Sequence, residues 1–414
     1  VQMADMPQKS DEPDVSVIIG VYEAMPYLVR CLESVQAQTI GAGRMEIVAV
    51  DDGSTDGSGE YLKEFAARTD IPMRVVSQEN SGGPSGPRNV GLCMARGRYV
   101  FFLDADDHFG DEALERLVAM GDRAGTDVVL GKIVGVNRGA AKSMWKETVE
   151  RADLFDSNIK FTLSAQKLFR RDLLVRLGMS FDETLRTGED ALFTMEAYLR
   201  GNGVSVVADY TCYYLVGRED SNQMTKKGDY TRRFDSARAL MGLIAELVPA
   251  GPRRDALMVR PFAITLLPQF GPKLLKQKEA VRKRKMALAA PLVESYWTPG
   301  LARRVKVHER LRLMCIAENR LDLLLDVLRF MKAGEEPGKV RRGNPPRLHL
   351  AYPHFGEGAP LPDSAYEVTV TEWIGGNRVD PTPPKPYVSF ARRVVRKVRR
   401  TAHAAFRAPR AHRV

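Results

Sequence analysis

The residues with the most to offer chemically are acids placed where apolar runs stop. In Arg98-Tyr99-Val100-Phe101-Phe102-Leu103-Asp104-Ala105-Asp106-Asp107, the run Tyr99 to Leu103 is short, aromatic and β-branched, the texture of a buried strand. Residues two apart in an extended chain point the same way, so Asp104 and Asp106 aim their carboxylates at one spot just past the strand's end. Carboxylates held that close repel each other. A divalent cation relieves the repulsion, and oxygen ligands suit Mg2+ or Mn2+. An acidic loop that ends a strand and caps a helix beginning near Asp111 needs no cation, and the triplet alone does not choose between these readings.

Other constellations share this placement. Asp51-Asp52 closes the strand-like run Glu46 to Val50, where carboxylates could accept the imide N–H of a uracil-type base or ribose hydroxyls. Asp52-Gly53-Ser54-Thr55-Asp56-Gly57 equally has the composition of a turn and a helix cap. Past a short strand at Met73 to Val76, the glycines and prolines of Gln78 to Gly91 open a helix running to about Arg96. A helix N-terminus presents unpaired N–H groups and the positive end of a dipole, and Arg88 near the first turn could fork onto a diphosphate. A flexible Gly-Gly-Pro connection is the competing reading. Farther on, Gly188-Glu189-Asp190 opens a helical pattern through Phe193, Ala197 and Tyr198, and acids in a first turn suit the helix dipole without any chemistry.

The elements that must position these residues alternate along the first half. Val15 to Val21 is a near-continuous β-branched run, and Leu28, Cys31, Leu32 and Val35 then recur at helical spacing between Pro26 and Gln38. A strand to Val50, a helix from about Gly59 to Arg68 and the short strand at Met73 lead to the strand Tyr99 to Leu103. A helix Asp111 to Ala124 and a strand from Asp127 to about Val136 follow, with a further strand at Val204 to Ala208. Strands alternating with helices at this spacing predict a mainly parallel α/β sheet with right-handed crossovers, whose ligand sits beyond the carboxyl ends of the strands.

Composition narrows the classes. The net charge of +10 divides into 26 Lys and Arg against 36 Asp and Glu in residues 1–230, and 36 against 16 beyond them. The basic half suits a polyanionic or membrane-surface partner, or is a solvated face. Cys31, Cys93, Cys212 and Cys315 are scattered without ligand spacing, which implies neither a disulfide framework nor a zinc site. Val1 to Asp14 lacks the basic and apolar regions of a signal peptide, and no apolar run approaches the roughly 20 residues of a membrane span. The expected location is cytoplasmic, with peripheral contact at the inner face of a membrane left open.

Together, the strand-end signals resemble the inverting GT-A glycosyltransferases of family 2. The match rests on Val17-Ile18-Ile19-Gly20-Val21-Tyr22, Val50-Asp51-Asp52-Gly53-Ser54-Thr55-Asp56, Asn80-x-Gly82, Arg88-Asn89-x-Gly91 and Leu103-Asp104-Ala105-Asp106-Asp107, and covers residues 15 to 225. The resemblance implies a Rossmann-like, mainly parallel sheet with flanking helices. It implies that Val21, Tyr22, Asp51 and Asp52 line the nucleoside pocket and that Arg88 approaches the diphosphate. Asp104, Ala105 and Asp106 would serve donor ribose, metal and phosphate, with Asp106 touching Mn2+ or Mg2+ directly and Asp104 beside it. Asn80 and Gly82 fall in the same donor site, and Glu23 stands where the family more often has Asn. Glu189-Asp190 is similar to the family's Glu-Asp motif, in which the Asp is the base. Phe161 to Arg171 resembles its acceptor-side stretch, and Arg218 and Ser221 lie in what looks like its mobile loop over the diphosphate.

The expected division is a disordered tail at 1–14, the GT-A unit at 15–229 and a helical domain at 230–333. A linker at 334–346, a small β-rich module at 347–388 and a basic tail at 389–414 complete it. The helical part is read as Phe234 to Leu247, Arg254 to Leu267 broken near Pro261, Gly271 to Ala289 and Arg310 to Met331, with the alternating runs Arg347 to Tyr352 and Tyr366 to Trp373 as strands. The basic stretch Lys273 to Lys285 could meet phosphates, and Ser389 to Val414 has the spacing of a basic amphipathic helix that can lie on an anionic membrane, with a disordered solvated tail as the competing reading. This order of parts is similar to the enzymes that glycosylate wall teichoic acid. It implies a UDP-linked or other nucleoside-diphosphate sugar donor and a polyanionic or lipid-linked cell-envelope acceptor, no nucleic acid, and leaves open a homo-oligomer such as a trimer. The rivals are a nucleotidyltransferase of the same fold and a basic membrane or polyanion adaptor, neither of which gives Glu189-Asp190 a role.

Overall fold

In the computed structural model, which describes residues 12–218 and 229–382, the alternating first half forms β1 (Val15–Val21), α1 (Tyr27–Gln36), β2 (Met45–Asp51), α2 (Ser58–Arg68), β3 (Met73–Ser77), α3 (Ser85–Met94) and β4 (Tyr99–Asp104). Then come β5 (His108–Phe109), α4 (Ala113–Ala124), β6 (Val128–Val136), β7 (Leu168–Arg170), α5 (Arg171–Arg176), α6 (Glu189–Arg200) and β8 (Val204–Val216). The eight strands make one sheet in the order β3-β2-β1-β4-β7-β6-β8-β5. The β3-β2-β1-β4 pairs are parallel, as are β6 and β8, whereas β7 runs against both its neighbours and β5 against β8. β5 and β7 are two and three residues long, too short to carry a readable period. This is the expected mainly parallel GT-A arrangement.

Sheet and helices approach closely because glycine lies between them. A Cβ on Gly91 of α3 would overlap the Ile18 side chain of β1. Asp14, assigned to the tail by sequence, instead accepts ion pairs from Arg44 and Arg98 at 2.5 Å each, beneath the start of β1.

The second half is helical as expected and breaks at Pro261 as the sequence suggests, but its other breaks differ. It comprises α7 (Thr231–Leu247), α8 (Pro252–Arg260), a π-helical segment Pro261–Leu266, and, after two short 3-10 turns, α9 (Glu279–Tyr296), α10 (Pro299–Ala302), α11 (Val307–Ala317) and α12 (Leu321–Ala333). The stretch Arg310 to Met331 is not one helix, because Asn319 takes a left-handed conformation (φ 50°) between α11 and α12. Part of the presumed basic binding stretch faces inward: Lys285 is buried, and Arg282 donates to the carbonyls of Leu274 and Leu275.

The 334–346 linker contains a strand, β9 (Gly338–Arg342), paired antiparallel with β10 (Arg347–Ala351). Tyr366 to Trp373 is not a strand; Asp363–Tyr366 is a 3-10 turn, and the second ribbon is β11 (Glu372–Ile374) with β12 (Asn377–Val379). This small β part rests on the helices. Arg310 donates to the carbonyls of Ala365 (3.0 Å) and Glu367 (2.7 Å), and Glu372 accepts from the Val307 amide at 2.9 Å. One apolar core runs without interruption from the β1 face carrying Ile18, through α6 and α7, to Val379. No helix among the described residues is long and apolar enough to cross a membrane. Ser221 and the basic tail from Ser389 lie outside the described residues.

Candidate active site

Strand register assembles the candidate residues. Val21 pairs with Asp51, Gly20 with Asp104, and Asp51 with Ser77, so the carboxyl ends of β3, β2, β1 and β4 form one row. At about 4.8 Å between strands, the row marks the edge of the sheet beyond which an open α/β fold binds its ligand.

On the β1–β3 side, most polar groups are already committed. Asp52 is buried and accepts from the Gln78 amide (2.6 Å), the Ser81 backbone N–H (3.0 Å) and the Ser81 hydroxyl (2.9 Å). Asn80 donates to the Asp52 carbonyl at 3.1 Å and accepts from the Gly82 N–H at 2.8 Å, which folds the Asn80–Gly82 turn against β2. Asp51 accepts from the Ser54 N–H at 3.1 Å. Glu23, held at φ 47°, accepts from Thr55 through N–H (2.7 Å) and hydroxyl (3.0 Å), while its carbonyl accepts from Arg218 at 2.8 Å. Tyr22 is left half exposed at the rim.

The triplet after β4 divides its labour. Asp104 accepts from Arg88 (2.8 Å) on one oxygen and from Gln166 (2.6 Å) on the other. Asp107 is buried and accepts from the Tyr213 hydroxyl and the Val216 N–H, both at 2.7 Å, which ties the turn to β8. No side chain among the described residues hydrogen-bonds the Asp106 carboxylate, and burial beside Asp104 pushes its pKa up to about 6. Among the described residues there is no group of three or more His, Cys, Asp or Glu side chains that could cage a cation. One uncommitted carboxylate beside a second acid fits Mg2+ or Mn2+, which is usually held by one or two carboxylates with substrate phosphates and water.

Across the crevice stands the start of α6. Gly188 caps it at φ 84°, and a Cβ there would meet Ser236 of α7 at 2.9 Å, so the position needs glycine for both backbone and space. Glu189 and Asp190 fill the first turn. Arg88 is buried and joins the two sides, reaching Asp104 at 2.8 Å and Glu189 at 3.4 Å with its guanidinium over the Phe181 ring. The geometry therefore points Arg88 at two carboxylates. Beneath it Phe181 stacks on Phe193 with centroids 4.1 Å apart, and Phe102 meets both edge-on, which fixes α6 against β4. Asn89 fastens the same loop by exchanging hydrogen bonds with the Phe181 backbone.

Burial and the Asp190 charge raise Glu189 to about 7 against the pull of Arg88, and burial likewise raises Asp190. Glu189 thus binds its proton more tightly folded than unfolded, and between about pH 4.5 and 7 its ionisation lowers stability as pH rises. Glu189→Gln removes that titration. Its stability relative to the parent chain should improve across this window by at most roughly 1.4 kcal/mol per pH unit, read from denaturant unfolding at several pH values. A pH-independent difference would show that Glu189 does not titrate there.

Gln166, Lys167, Tyr213 and Arg260 also belong to the site's surroundings. Gln166 and Lys167 lie inside the acceptor-side stretch already singled out by resemblance, but nothing in their spacing marks them. Arg260 stands 70 residues beyond Asp190, and only tertiary packing brings its charge to bear on it.

Residues 16–178 match the family model for glycosyl transferase family 2, and residues 231–328 match that for the glycosyl transferase TarS linker domain. A poly(ribitol-phosphate) beta-glucosyltransferase of Bacillus spizizenii is 42% identical over 206 residues, 50% of this chain and 32% of that protein. The poly(ribitol-phosphate) beta-N-acetylglucosaminyltransferase TarS of Staphylococcus aureus is 41% identical over 49% of this chain and 36% of its own. The chain matches about a third of the length of these curated relatives. The crystal structure of S. aureus TarS 1-349 in complex with UDP-GlcNAc superposes with a TM-score of 0.73 at 29% identity, over 82% of this chain and 97% of that one.

Proposed function

We propose that this chain, in which a glycosyl transferase family 2 domain is joined to a TarS linker domain, transfers a sugar with inversion from a nucleoside-diphosphate sugar, UDP-linked, to hydroxyls of a poly(polyol phosphate) of the cell envelope. The observation that carries this reading is the bridge made by Arg88, which pairs with Asp104 at the end of β4 and with Glu189, the neighbour of Asp190 in the first turn of α6. Among the described residues no side chain hydrogen-bonds Asp106 beside it, and in this reading Asp106 serves the donor and Asp190 the acceptor. In this reading the acceptor hydroxyl oxygen bonds to the anomeric carbon as its proton passes to Asp190. The bond from that carbon to the diphosphate breaks, and the electron pair leaves with the diphosphate. Asp106 would hold a divalent cation, which neutralises charge on the departing diphosphate. Tyr22, Asp51 and the backbone near Val21 would frame the base and ribose. The names of the relatives and the charge of +20 on residues 231–414 support the polymer acceptor, since Lys and Arg neutralise phosphates.

The test is release of free sugar across a panel of nucleotide sugars, with Mn2+ and with excess chelator, in the parent chain and in Asp106→Asn. Turnover of one UDP-sugar, lost in chelator and in the variant, is expected. Undiminished activity in chelator would remove the cation, and no turnover of any donor would remove the transferase reading itself.

A further inference from the structure

The turn that follows β1 is shaped by its neighbour. The backbone N–H groups of Glu23, Ala24 and Met25 donate in succession to the Ser54 hydroxyl (3.2 Å), the Ser58 hydroxyl (3.1 Å) and the Asp56 carboxylate (2.8 Å). Asp56 in turn accepts from the Ser58 N–H at 3.1 Å and the Ser58 hydroxyl at 2.6 Å. Residues 53–58, which have the composition of a turn and a helix cap, therefore serve as a cradle for residues 23–25. Within the cradle Glu23 stands at φ 47°, a left-handed conformation that residues with a long side chain seldom adopt. Such a residue persists only where its surroundings over-determine it, and such residues gather at functional sites. Here the hold is its own carboxylate, whose Oε1 accepts the Thr55 N–H at 2.7 Å and the Thr55 hydroxyl at 3.0 Å.

The backbone of the same residue holds a cation. The Glu23 carbonyl accepts from Arg218 Nη2 at 2.8 Å, and the guanidinium lies over the Tyr27 ring, 5.2 Å from its centroid. Arg218 sets out from the far side of the acidic triplet. Two residues before it, the Val216 N–H donates to Asp107 at 2.7 Å, and β8 pairs with β5, the strand that continues the triplet. β1 and β4 are adjacent and in register, with Gly20 beside Asp104. A side chain that leaves β8 next to Asp107 and ends on Glu23 thus links the ends of β4 and β1, on the side where Asp106 stands. A guanidinium has five N–H donors, and the Glu23 carbonyl takes one of them. The contact is made through the Glu23 backbone while its carboxylate faces Thr55, so the shape of the turn aims the carbonyl at Arg218.

We propose that Glu23 is a positioning residue: its carboxylate, held by Thr55, keeps the turn left-handed so that its carbonyl seats Arg218 in advance as a cation for the donor diphosphate. The proposal rests on the reading of this crevice as a nucleoside-diphosphate site. A long side chain ordered before its ligand arrives loses less freedom on binding, and the gain is confined to the charged part of the ligand. It also explains an acid at the edge of an anion site. The Glu23 carboxylate would repel a phosphate, and the Thr55 donors turn it to structural use.

The test is equilibrium titration of the full chain with UDP and Mn2+, and separately with uridine, which lacks the diphosphate and reads the rest of the pocket. The variants are Glu23→Ala, Glu23→Asn, Arg218→Gln and the double variant of Glu23→Ala with Arg218→Gln. Glu23→Ala is expected to weaken UDP binding about tenfold, the effect of ordering one long side chain, and to leave uridine unchanged. Glu23→Asn should recover most of the loss, because Asn enters the left-handed region readily. The double variant should bind UDP no more weakly than Arg218→Gln alone, since both changes remove one shared effect. Additive losses, or an equal loss of uridine affinity, would overturn the seat. Should Glu23→Ala fail to fold in thermal unfolding, Thr55→Val decides: it deletes the hydroxyl bond, and it should weaken UDP and spare uridine by a smaller factor. A parent chain that binds neither compound removes the donor-site reading and the seat with it, whereas a parent that binds UDP no better than Glu23→Ala removes the seat alone.

Discussion

Replacement of Asp190 by Asn is expected to lower sugar transfer by about 10²–10⁴-fold while nucleotide affinity stays within a few-fold. The amide keeps the size of the carboxylate and its place in the first turn of α6, but it cannot take a proton from an acceptor hydroxyl. Nucleotide affinity should survive because the row formed by Val21, Asp51 and Asp104 stands across the crevice and is held by β1, β2 and β4. The variant does disturb its own side, since the Asp190 charge favours the protonated forms of Lys167 and Arg260. Initial rates therefore need to be paired with an equilibrium nucleotide titration and a thermal unfolding curve. A folded variant with intact nucleotide binding and no turnover assigns the proton to Asp190. A folded variant with undiminished turnover removes it.

What could be read in the sequence followed the range of each interaction. Strand ends are local, and a β-branched run that stops at an acid places that acid within a residue or two; Asp51 and Asp104 fell in adjacent rows because parallel pairing in register is the default consequence of such alternation. The commitments of those acids were not readable. Asp104 is engaged by Gln166, 62 residues away, and Asp107 by Tyr213, 106 residues away, through contacts that leave no periodic trace. Arg88 illustrates the difference. Its position in the first turn of α3 suggested an anion, and the fold supplies two, Asp104 and Glu189, the second 101 residues on. In the helical half, patterns gave the helices but not their ends, because a single left-handed Asn319 divides a stripe that is otherwise continuous. The small β part was legible only as alternation, and its pairing depended on β9, whose charged residues Lys339, Arg341 and Arg342 hide a strand inside a presumed linker.

The bracing role of Arg88 leads to the second large effect. Arg88→Met leaves Asp104 and Glu189 without the guanidinium between them, and the loss of one partner from a buried pair typically costs about 3–5 kcal/mol. The cost here should fall below that range, because the Asp104 side chain is 33% exposed and water can take up part of its charge. Glu189, only 9% exposed at the side chain, has no such relief except a proton. Arg88 opposes the rise in the Glu189 pKa, so its removal sends that pKa above about 7. The instability of Arg88→Met should then grow as pH rises through neutrality and shrink as Glu189 becomes protonated, in denaturant unfolding without nucleotide. Arg88→Lys keeps the charge but not the fork that spans two carboxylates, and should recover only part of the loss. Were Arg88 chiefly a diphosphate ligand, both variants would raise donor KM and leave the nucleotide-free unfolding curve where it was. The brace requires the opposite order: stability lost without ligand, and turnover lost because Asp104 and Glu189 no longer hold the two walls of the crevice at a fixed separation.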